Sequence, residues 1–301
     1  MLTAFRQPDT PREWQATIGI DNQSFTKLTQ QAKLSYTSLR GCSYEQMLTS
    51  NAKGSLARLK SLDDLLFFVL LMLKSGITFD LLGYIVQLDH GNAHRKFKLG
   101  LKILVATLSD LNCGPNRDFD TVGHLHAAIS PGSTLILDGT EQRIQRPSDQ
   151  GVQRDFYSGK KKGHTVKSLI ISTPDRYIHY VSYCWVGRTH DFAVLKEEFP
   201  AADGWFDKYE IRLDLGYTGF EKEYPNVKVF IPVKKPPRRE LTEEQKQTNK
   251  ELATQRITVE HAIGGMKRYD LLSNTCRLHD WETYDDVLYA CAGLWNFYIT
   301  R

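Results

Sequence analysis

The hydrophobic pattern of the first third of the chain is helical. Between residues 25 and 111 apolar positions recur every three or four residues, the spacing of an amphipathic helix. This pattern predicts helices over 44–59, 62–73, 79–88 and 93–108, with Ser61 and Asp64 at the spacing of a helix start. The segment 109–120, rich in Asn, Gly, Pro and Asp, is typical of a linker.

Beyond residue 120 the pattern is that of a sheet. Runs of β-branched and aromatic residues bounded by Gly, Pro or Asp predict five strands, over 134–137, 164–172, 177–185, 210–213 and 227–233. A helix over 191–198, with Asp191 as its N-cap, separates the third strand from the fourth. A long polar helix over 242–269, in one or two pieces, and an amphipathic helix over 281–298 complete the chain.

This order of elements predicts an α+β fold class, helical first and then built on a mixed sheet. Short connections make the first three strands an antiparallel meander, and the helix after them allows a crossover to the fourth strand. If the first and fourth strands pair at the centre of the sheet, Asp138 and Asp214 become neighbours.

Composition narrows the class of protein only a little. The net charge of +4 permits a polyanionic partner without requiring one. Local clusters of basic residues are therefore the better indicator of nucleic-acid binding. No secretory signal is visible, and the most apolar run, 65–73, is far shorter than the ~20 residues of a membrane helix. Five scattered cysteines without metal-ligand spacing indicate reduced thiols in a cytoplasmic protein.

Three carboxylates stand in distinctive local settings. Asp138 and Asp214 each close a short apolar strand, and Glu260 lies in a helical run. Carboxylates converging from two strand ends and a helix suit Mg²⁺ or Mn²⁺, and a pair of such ions is the usual device for phosphodiester chemistry. Asp191, which follows His190, is the alternative to Asp214 as the second metal ligand. If Asp214 is the ligand, His190 and Asp191 are candidates for residues that hold the metal ligands in position.

Four motifs, occurring together and in order, carry a resemblance to a known family. They are Leu137–Glu141, Gly187–Asp191, Leu213–Gly219, and the set Arg256, Glu260 and Lys267. With these motifs the chain resembles a DDE transposase of the bacterial insertion-sequence 5 type, similar to the eukaryotic PIF/Harbinger group. It departs from the related signature at Ala253, where a Tyr is expected, which puts a DNA contact of that Tyr in doubt.

The resemblance implies an RNase H-like catalytic domain over 121–301, with a central mixed five-stranded sheet. Asp138, Asp214 and Glu260 would be the metal-binding catalytic triad, holding two Mg²⁺ or Mn²⁺ ions. The implied reaction is cleavage at transposon ends, followed by transfer of the freed 3′-hydroxyl ends into target DNA. Residues 1–120 would then form a helical DNA-binding domain.

Three groups of basic residues are candidate DNA contacts. Phosphate contacts neutralise charge without reading sequence. The first group is a glycine-bounded loop with Lys160, Lys161 and Lys162. The second is a proline-rich loop with Lys234, Lys235, Arg238 and Arg239. The third, Arg256 and Lys267, lies on the same helix face as Glu260.

A helix-turn-helix is predicted at about 77–104, with its turn over 89–92. Its second helix places Arg95, Lys96 and Lys98 near the N-terminal end, the part of a recognition helix that meets base edges. A helical hairpin that only packs is the alternative.

We therefore expect a transposase acting on double-stranded DNA, as a homodimer when it joins two ends and close to the nucleoid when bound. One alternative is a structure-specific or domesticated metal-dependent endonuclease that cuts without strand transfer. Another is an inactive sequence-specific DNA-binding protein, against which the intact triad argues. An unrelated α+β domain whose carboxylates never meet is the remaining alternative.

Overall fold

The computed structural model describes residues 2–50, 57–237 and 240–300. The chain divides into two compact units, one formed by Met1–Gly114 with Met266–Arg301 and the other by Pro115–Gly265. Helices dominate the first unit and a mixed sheet with helices forms the second, which confirms the α+β class. No helix in the described ranges is long and apolar enough to cross a bilayer.

The first unit contains the helices that the apolar spacing predicted. The N-cap at Ser61 is confirmed, because its hydroxyl accepts a hydrogen bond from the Asp64 N–H at 3.1 Å. The predicted helix over 44–59 is shorter, since residues 57–59 are not helical and 51–56 lie outside the described residues. The helices are α1 Pro11–Ile18, α2 Asn22–Arg40, α3 Tyr44–Ser50, α4 Leu62–Ser75, α5 Phe79–Val86, α6 His90–Asp110, α12 Asp270–Ser273 and α13 Trp281–Ile299.

The C-terminal helix α13 belongs to the helical unit. A Cβ atom on Gly293 would lie only 3.0 Å from Leu108 Cδ1, so the missing side chain permits close packing of α13 on α6. Asn296 Nδ2 also donates to the Cys113 carbonyl at 2.9 Å. The sequence placed a boundary near residue 120 and left 266–301 with the sheet. Periodicity marks an apolar helix face but does not identify its partner.

The turn of the predicted helix-turn-helix comprises residues 87–89 rather than 89–92. α5 ends at Val86, Gln87 has a left-handed φ of 56°, and Asp89 caps α6 through the Asn92 N–H at 2.9 Å. Residues 90–92, predicted as turn, are therefore the first turn of α6. The Asp89 carboxylate stabilises the orphan amides of that turn, which periodicity alone does not reveal.

The second unit carries the sheet. The strands are β1 Thr134–Arg143, β2 Tyr157–Ser158, β3 Gly163–Ser172, β4 Ile178–Val181, β5 Trp185–Val186, β6 Glu210–Arg212 and β7 Lys228–Phe230. The helices are α7 Val122–Ala128, α8 Gln150–Phe156, α9 Asp191–Glu198, α10 Phe220–Glu223 and α11 Glu243–Lys267, with short 3-10 turns at Ala201–Asp203 and Leu215–Tyr217. The first strand is longer than predicted because β3 pairs with it as far as Arg143, opposite Thr165.

The sheet is mixed, as predicted, but within the described residues it has seven strands rather than five. The strand order is β2-β3-β1-β6-β7, and β4 and β5 also pair with β3. β1 is antiparallel to β3 and parallel to β6, so the predicted pairing of the first strand with the strand before Asp214 is confirmed. The predicted strand 177–185 is broken into β4 and β5. The Ser182 hydroxyl interrupts the ladder there by accepting from the Leu169 N–H at 2.9 Å.

One face of this sheet carries the core. Leu135 and Leu137 of β1 pack with Leu195 of α9, Phe206 and Phe220, all of them buried. Because side chains alternate along a strand, Asp138 lies on the opposite face of β1 from Leu137. The sheet therefore separates the apolar core from the face on which Asp138 meets α11 through Arg256.

Candidate active site

Two aspartates stand side by side at the centre of the sheet. Ile136 of β1 lies opposite Arg212 of the parallel strand β6, so Asp138 and Asp214 follow at the same level two residues later. Burial raises the pKa of the Asp138 carboxyl; the negative charges of Asp214 and Asp191 add to the rise, and Arg256 opposes it. This mutual influence requires the three carboxylates to be near neighbours.

Backbone amides orient both carboxylates. Asp138 Oδ1 accepts from its neighbour Gly139 N–H at 2.8 Å, and Asp214 Oδ1 accepts from Gly216 N–H at 2.8 Å. The second bond forms because the chain turns into a 3-10 helix immediately after Asp214. Backbone hydrogen bonds thus hold both side chains in place, Asp138 within β1 and Asp214 just after β6, as a binding centre requires.

Arg256 of α11 supplies positive charge to this pair. Its Nη2 lies 3.2 Å from Asp138 Oδ2, and both side chains are largely buried, 14% and 19% exposed. The Arg256 Nε is buried and has no hydrogen-bond partner among the described residues. The guanidinium therefore keeps donor capacity for a further acceptor, such as a phosphate oxygen.

Asp191 approaches the same centre from the other face of the sheet. A Cβ atom built on Gly139 would lie 3.2 Å from Asp191 Oδ1. Because neighbouring residues of a strand point to opposite faces, that Cβ position is on the face of β1 opposite to Asp138. The predicted N-cap role of Asp191 is wrong. His190, which is exposed, is the N-cap residue and makes no side-chain capping bond; Asp191 instead accepts from Lys167 Nζ of β3 at 2.9 Å.

A narrow, mostly apolar crevice lies beside Asp191. Besides apolar atoms it is lined by Gly139, Lys167, Ser168, Asp191 and Tyr217. The hydroxyl of Tyr217 is buried without a hydrogen-bond partner among the described residues. Burial and then the charges of Asp138, Asp191 and Asp214 raise the pKa of Tyr217 well above its ordinary value. The phenol therefore remains protonated and can donate a hydrogen bond.

Glu260 is not part of this arrangement. It lies one helical turn beyond Arg256 on α11 and its side chain is exposed. Within residues 2–50, 57–237 and 240–300, no three acidic, histidine or cysteine side chains are grouped closely enough to hold a metal ion. The role of Glu260 as third ligand stays a prediction, and binding an ion would have to draw the carboxylates together.

The donor set nevertheless suits a hard divalent cation. Asp138 and Asp214 offer carboxylate oxygens, the ligands that Mg²⁺ and Mn²⁺ prefer. The buried, unpartnered hydroxyl of Tyr217 beside them indicates that the centre lacks a polar ligand. The residues present therefore fit such an ion.

Apart from Arg256 on α11, the described residues of the sheet unit that were predicted to contact DNA lie on loops. Lys160, Lys161 and Lys162 are exposed between β2 and β3, and Lys234 is exposed after β7. Lys235 is exposed but paired with Glu240. Arg238 and Arg239 lie outside the described residues.

The basic residues of α6 and of the end of α11 differ in how freely their side chains can reach DNA. Arg95 is exposed and donates to Asn92 Oδ1 on its own helix at 2.9 Å. Lys96 is half-buried against the Tyr44 hydroxyl at 3.2 Å, and Lys98 is paired with Asp280 at 2.5 Å. Lys267, half-buried, is the last residue of α11. Within the part of α6 described, Arg95 is the best placed of the three to reach a ligand.

Sequence reasoning missed Lys167, Ser168 and the role of Tyr217. A lysine within the predicted strand 164–172, on a sheet expected to be central, was the available signal for Lys167. Tyr217 belonged to the motif Leu213–Gly219, but its burial among carboxylates depends on the turn after Asp214.

The chain is similar in sequence to known proteins. A family model described as a DDE superfamily endonuclease matches residues 137–296, more than half of the chain. The chain is also similar to the "Probable transposase for insertion sequence element IS702" of Microchaete diplosiphon, with 34% identity over 165 residues. This match covers 54% of the chain and 57% of that relative, so it spans little more than half of the relative's length. No solved structure matches the chain significantly.

Proposed function

We propose that this chain, which belongs to the DDE superfamily of endonucleases, is a DNA transposase that cuts transposon ends and joins them to target DNA. The observation that carries the proposal is the placement of Asp138, in the middle of β1, beside Asp214, which follows the parallel strand β6. The family match begins at residue 137 and includes both aspartates together with Glu260. The similarity to a probable transposase supports strand transfer in addition to cleavage.

In this proposal Asp138, Asp214 and Glu260 hold the divalent cations. Two such ions, when bound, supply activation of the attacking hydroxyl group and stabilisation of the departing 3′-oxygen. Asp138 and Asp214 are oriented for this task by the Gly139 and Gly216 amides. Glu260 would join them from α11 once cation and DNA are bound.

Positive side chains would place the DNA backbone. Arg256 lies against Asp138 and retains an unused donor, so it can bind a phosphate next to the carboxylates. Lys160, Lys161, Lys162, Lys234 and Lys267 would contact phosphates along the strand, with Lys235, Arg238 and Arg239 extending that surface. The helical unit would recognise the element ends through α6, with Arg95 as its exposed basic residue. Joining two ends makes a homodimer on DNA the expected assembly.

The test is cleavage of a labelled duplex that carries the DNA flanking the gene. It would be incubated with Mg²⁺, Mn²⁺ or EDTA and with wild type, Asp138→Asn or the control Asp120→Asn. Asp120 is 78% exposed and lies outside the site, so its variant makes the same charge change without touching the carboxylate pair. We expect metal-dependent nicking at the element boundary by wild type and Asp120→Asn, and none by Asp138→Asn.

A second target duplex separates the competing functions. Joined products that appear with wild type indicate transposition, whereas nicking without joining indicates an endonuclease. Tight binding to the ends without any cutting, in either metal, would overturn the proposed catalysis and leave a DNA-binding protein. Cleavage that persists in Asp138→Asn would show that the catalytic centre lies elsewhere.

A further inference from the structure

One short segment of the sheet unit carries most of the excess positive charge of the chain. Residues 143–162, from the last residue of β1 to the loop before β3, contain six Lys or Arg and two Asp. The net charge of this basic segment is therefore +4, equal to that of all 301 residues, so the remainder of the chain is formally neutral. The six cations are all exposed: Arg143, Arg146, Arg154, Lys160, Lys161 and Lys162.

The two acidic residues of the basic segment do not neutralise these cations. Asp149 caps α8 by accepting a main-chain hydrogen bond at 2.9 Å. Asp155 is paired at 3.3 Å with Arg188, which lies outside the segment. Exposed lysines elsewhere in the same unit, such as Lys228 and Lys246, have carboxylate partners. Among the described residues, no Lys or Arg of the basic segment forms an ion pair.

Two of the arginines are held in position by neutral groups. Arg143 Nη2 donates to the main-chain carbonyl of Lys161 at 2.8 Å. Arg146 donates from Nε and Nη2 to Gln153 Oε1, at 3.0 and 2.9 Å. A neutral acceptor orders a guanidinium but leaves its charge and its other N–H groups available for a ligand. Because ordered side chains lose less entropy on binding, these arginines are preorganised for an anion.

The lysines of the basic segment stand on a loop whose backbone is also fixed. The strand before this loop, β2, pairs with the start of β3. The Lys161 N–H donates to Ser158 Oγ at 3.2 Å, and its carbonyl accepts from Arg143. Arg146 is in turn bonded to α8, the helix that carries Arg154. The six cations therefore belong to one hydrogen-bonded substructure at the end of β1.

The chemistry of this substructure fits the phosphate backbone of DNA. Unpaired cations close to each other repel, and a polyanion relieves that repulsion. Duplex DNA carries one negative charge for about every 1.7 Å of its length, and guanidinium groups bind phosphate oxygens in pairs. Such contacts give affinity without reading base sequence.

The strand β1 connects the basic segment to the carboxylate centre. Arg143 follows Asp138 by five residues on this strand, which is about 17 Å at a rise of about 3.3 Å per residue. That distance is about half of the ~34 Å turn of B-DNA. A duplex with one phosphate at the carboxylates is therefore long enough to reach the basic segment.

We infer that the basic segment is a second DNA-binding surface, which holds the phosphate backbone about half a turn from the bond that is cut. Phosphate contacts are thereby assigned to Arg143, Arg146 and Arg154 in addition to the three lysines. The inference rests on the proposed function, since it concerns the same DNA beyond the carboxylate centre.

The test removes the three arginines together, as Arg143→Gln, Arg146→Gln and Arg154→Gln. Glutamine keeps an N–H donor for the neutral acceptors, so the local fold is retained. Binding to a labelled duplex that carries the DNA flanking the gene is measured in EDTA, without cleavage. We expect roughly tenfold weaker binding, with a slope of log K against log salt that is smaller by about 2.7, or about 0.9 for each of three phosphates.

The matched control removes three exposed cations elsewhere on the same unit, as Lys208→Gln, Lys222→Gln and Lys250→Gln. This control should keep the wild-type affinity and slope. If the triple-arginine variant does not fold, Arg154→Gln alone decides the question through a slope smaller by about 0.9. The Arg154 side chain has no hydrogen bond or ion pair to another described residue, so its replacement leaves the fold unchanged.

A second measurement locates the contact on the DNA. Phosphates of the duplex are ethylated at random, and bound and free DNA are separated to identify the phosphates that the protein requires. We expect wild type and the control to require phosphates about half a turn from the cut, and the triple-arginine variant to be insensitive to their ethylation.

These outcomes separate the inference from the function on which it rests. Wild-type affinity and slope in a folded triple-arginine variant would overturn the inference and leave the proposed catalysis intact. An equal loss in the lysine control would also overturn it, because total charge would then be responsible. Binding that depends on the arginines, without any cutting in Mg²⁺ or Mn²⁺, would support the surface and reject the proposed catalysis. No duplex binding by wild type would reject both.

Discussion

Individual atoms decide the geometry of the carboxylate centre. Gly216 donates its N–H to Asp214 Oδ1, and a Cβ atom at Gly216 would lie only 2.8 Å from that oxygen. The same residue thus orients the carboxylate and leaves room for it. A methyl group at this position is therefore a local perturbation of the site, which can be distinguished from a general loss of stability.

The first prediction is that Gly216→Ala weakens Mn²⁺ binding and cleavage at least tenfold while the protein remains folded. The added methyl displaces the Asp214 carboxylate, but φ at Gly216 is not positive, so backbone strain is small. The measurements are calorimetry with Mn²⁺ and a thermal unfolding scan.

Gly264→Ala is the matched control for this prediction. A Cβ atom on Gly264 of α11 would meet nothing within 4 Å, and alanine favours a helix by about 1 kcal/mol over glycine. This control should bind Mn²⁺ like wild type and unfold at a slightly higher temperature. Equal Mn²⁺ affinity in both variants would show that the space at Gly216 is unimportant.

Sequence reasoning identified the carboxylates but not the contacts between them. Asp138 and Asp214 were recognisable because each follows a short apolar run, although β1 continues past Asp138 to Arg143. The parallel pairing of β1 with β6 follows from the crossover through α9. The hydrogen bond between Asp191 and Lys167 could not be recognised from the sequence, because it depends on how α9 packs on β3. A residue at a helix start looks the same in sequence whether it caps the helix or pairs with a strand.

At the scale of elements, α6 and α13 are joined by an ion pair. Lys98 Nζ lies 2.5 Å from Asp280 Oδ2, and Asp280 is the N-cap of α13. The hydrogen bond from Lys98, followed by that from Thr283, lowers the pKa of Asp280 to about 2. This basic residue, which the sequence suggested for DNA, is used within the fold.

The second prediction concerns acid stability. Because the folded pKa of Asp280 lies below its ordinary value of 3.8, its ionised form stabilises the fold above pH 4. That contribution is lost as the pH falls from about 4 to about 2. Lys98→Met should lower the free energy of unfolding by about 0.2–1 kcal/mol at pH 7, and the difference from wild type should shrink below pH 4.

Urea unfolding at pH 3, 5 and 7 measures this effect. Lys102→Met is the control, since Lys102 pairs with Glu282 at 3.1 Å and both side chains are well exposed. A Lys98→Met difference that is the same at every pH would contradict the assignment to an ionised Asp280. Unchanged DNA binding by Lys98→Met, together with weakened binding by Arg95→Ala, would assign the recognition contact to Arg95.

Boundaries of elements were predictable where a side chain marks them. Ser61 marks the start of α4, and that start is confirmed. Asp89 was placed in a turn because two polar residues and a glycine follow it, yet its carboxylate caps α6. The strand over 177–185 looked continuous, whereas the Ser182 hydroxyl replaces a backbone acceptor and interrupts it. Polar side chains that bond to backbone override periodicity in both cases.

At the scale of the whole molecule, the helical unit is built from both ends of the chain. α13 buries Leu288, Cys291, Ala292 and Leu294 within the same compact unit as α6. Each large apolar side chain uncovered costs about 1.5–3 kcal/mol, against a typical stability of about 5–15 kcal/mol. A few such losses are sufficient to unfold the unit.

The third prediction is that a fragment of residues 1–120 does not fold on its own. We expect no cooperative transition in a circular-dichroism melt, because the fragment lacks α13. Addition of a peptide covering 266–301 should restore one. A cooperative transition of the fragment alone would show that the boundary predicted near residue 120 delimits an independent domain.

The fourth prediction concerns the salt dependence of DNA binding. A triple change of Lys160, Lys161 and Lys162 to Gln should weaken binding, and the slope of log K against log salt should decrease by about 0.9 for each phosphate that is no longer neutralised. The control changes Lys208, Lys222 and Lys246, which are also exposed, to Gln. An equal decrease in both variants would show that total charge matters and that this loop makes no particular interaction with the DNA.

The space that Gly139 and Gly216 leave for neighbouring carboxylates also bears on how this protein would respond to random mutation. Gly139 and Gly216 have no functional group and no strained backbone, yet any side chain there competes with a carboxylate for the same volume. In a saturation screen scored by transposition, both positions should tolerate almost no replacement, as the aspartates themselves do. The positions at which substitutions abolish activity would thus include the glycines that leave space for the carboxylate as well as the aspartates themselves.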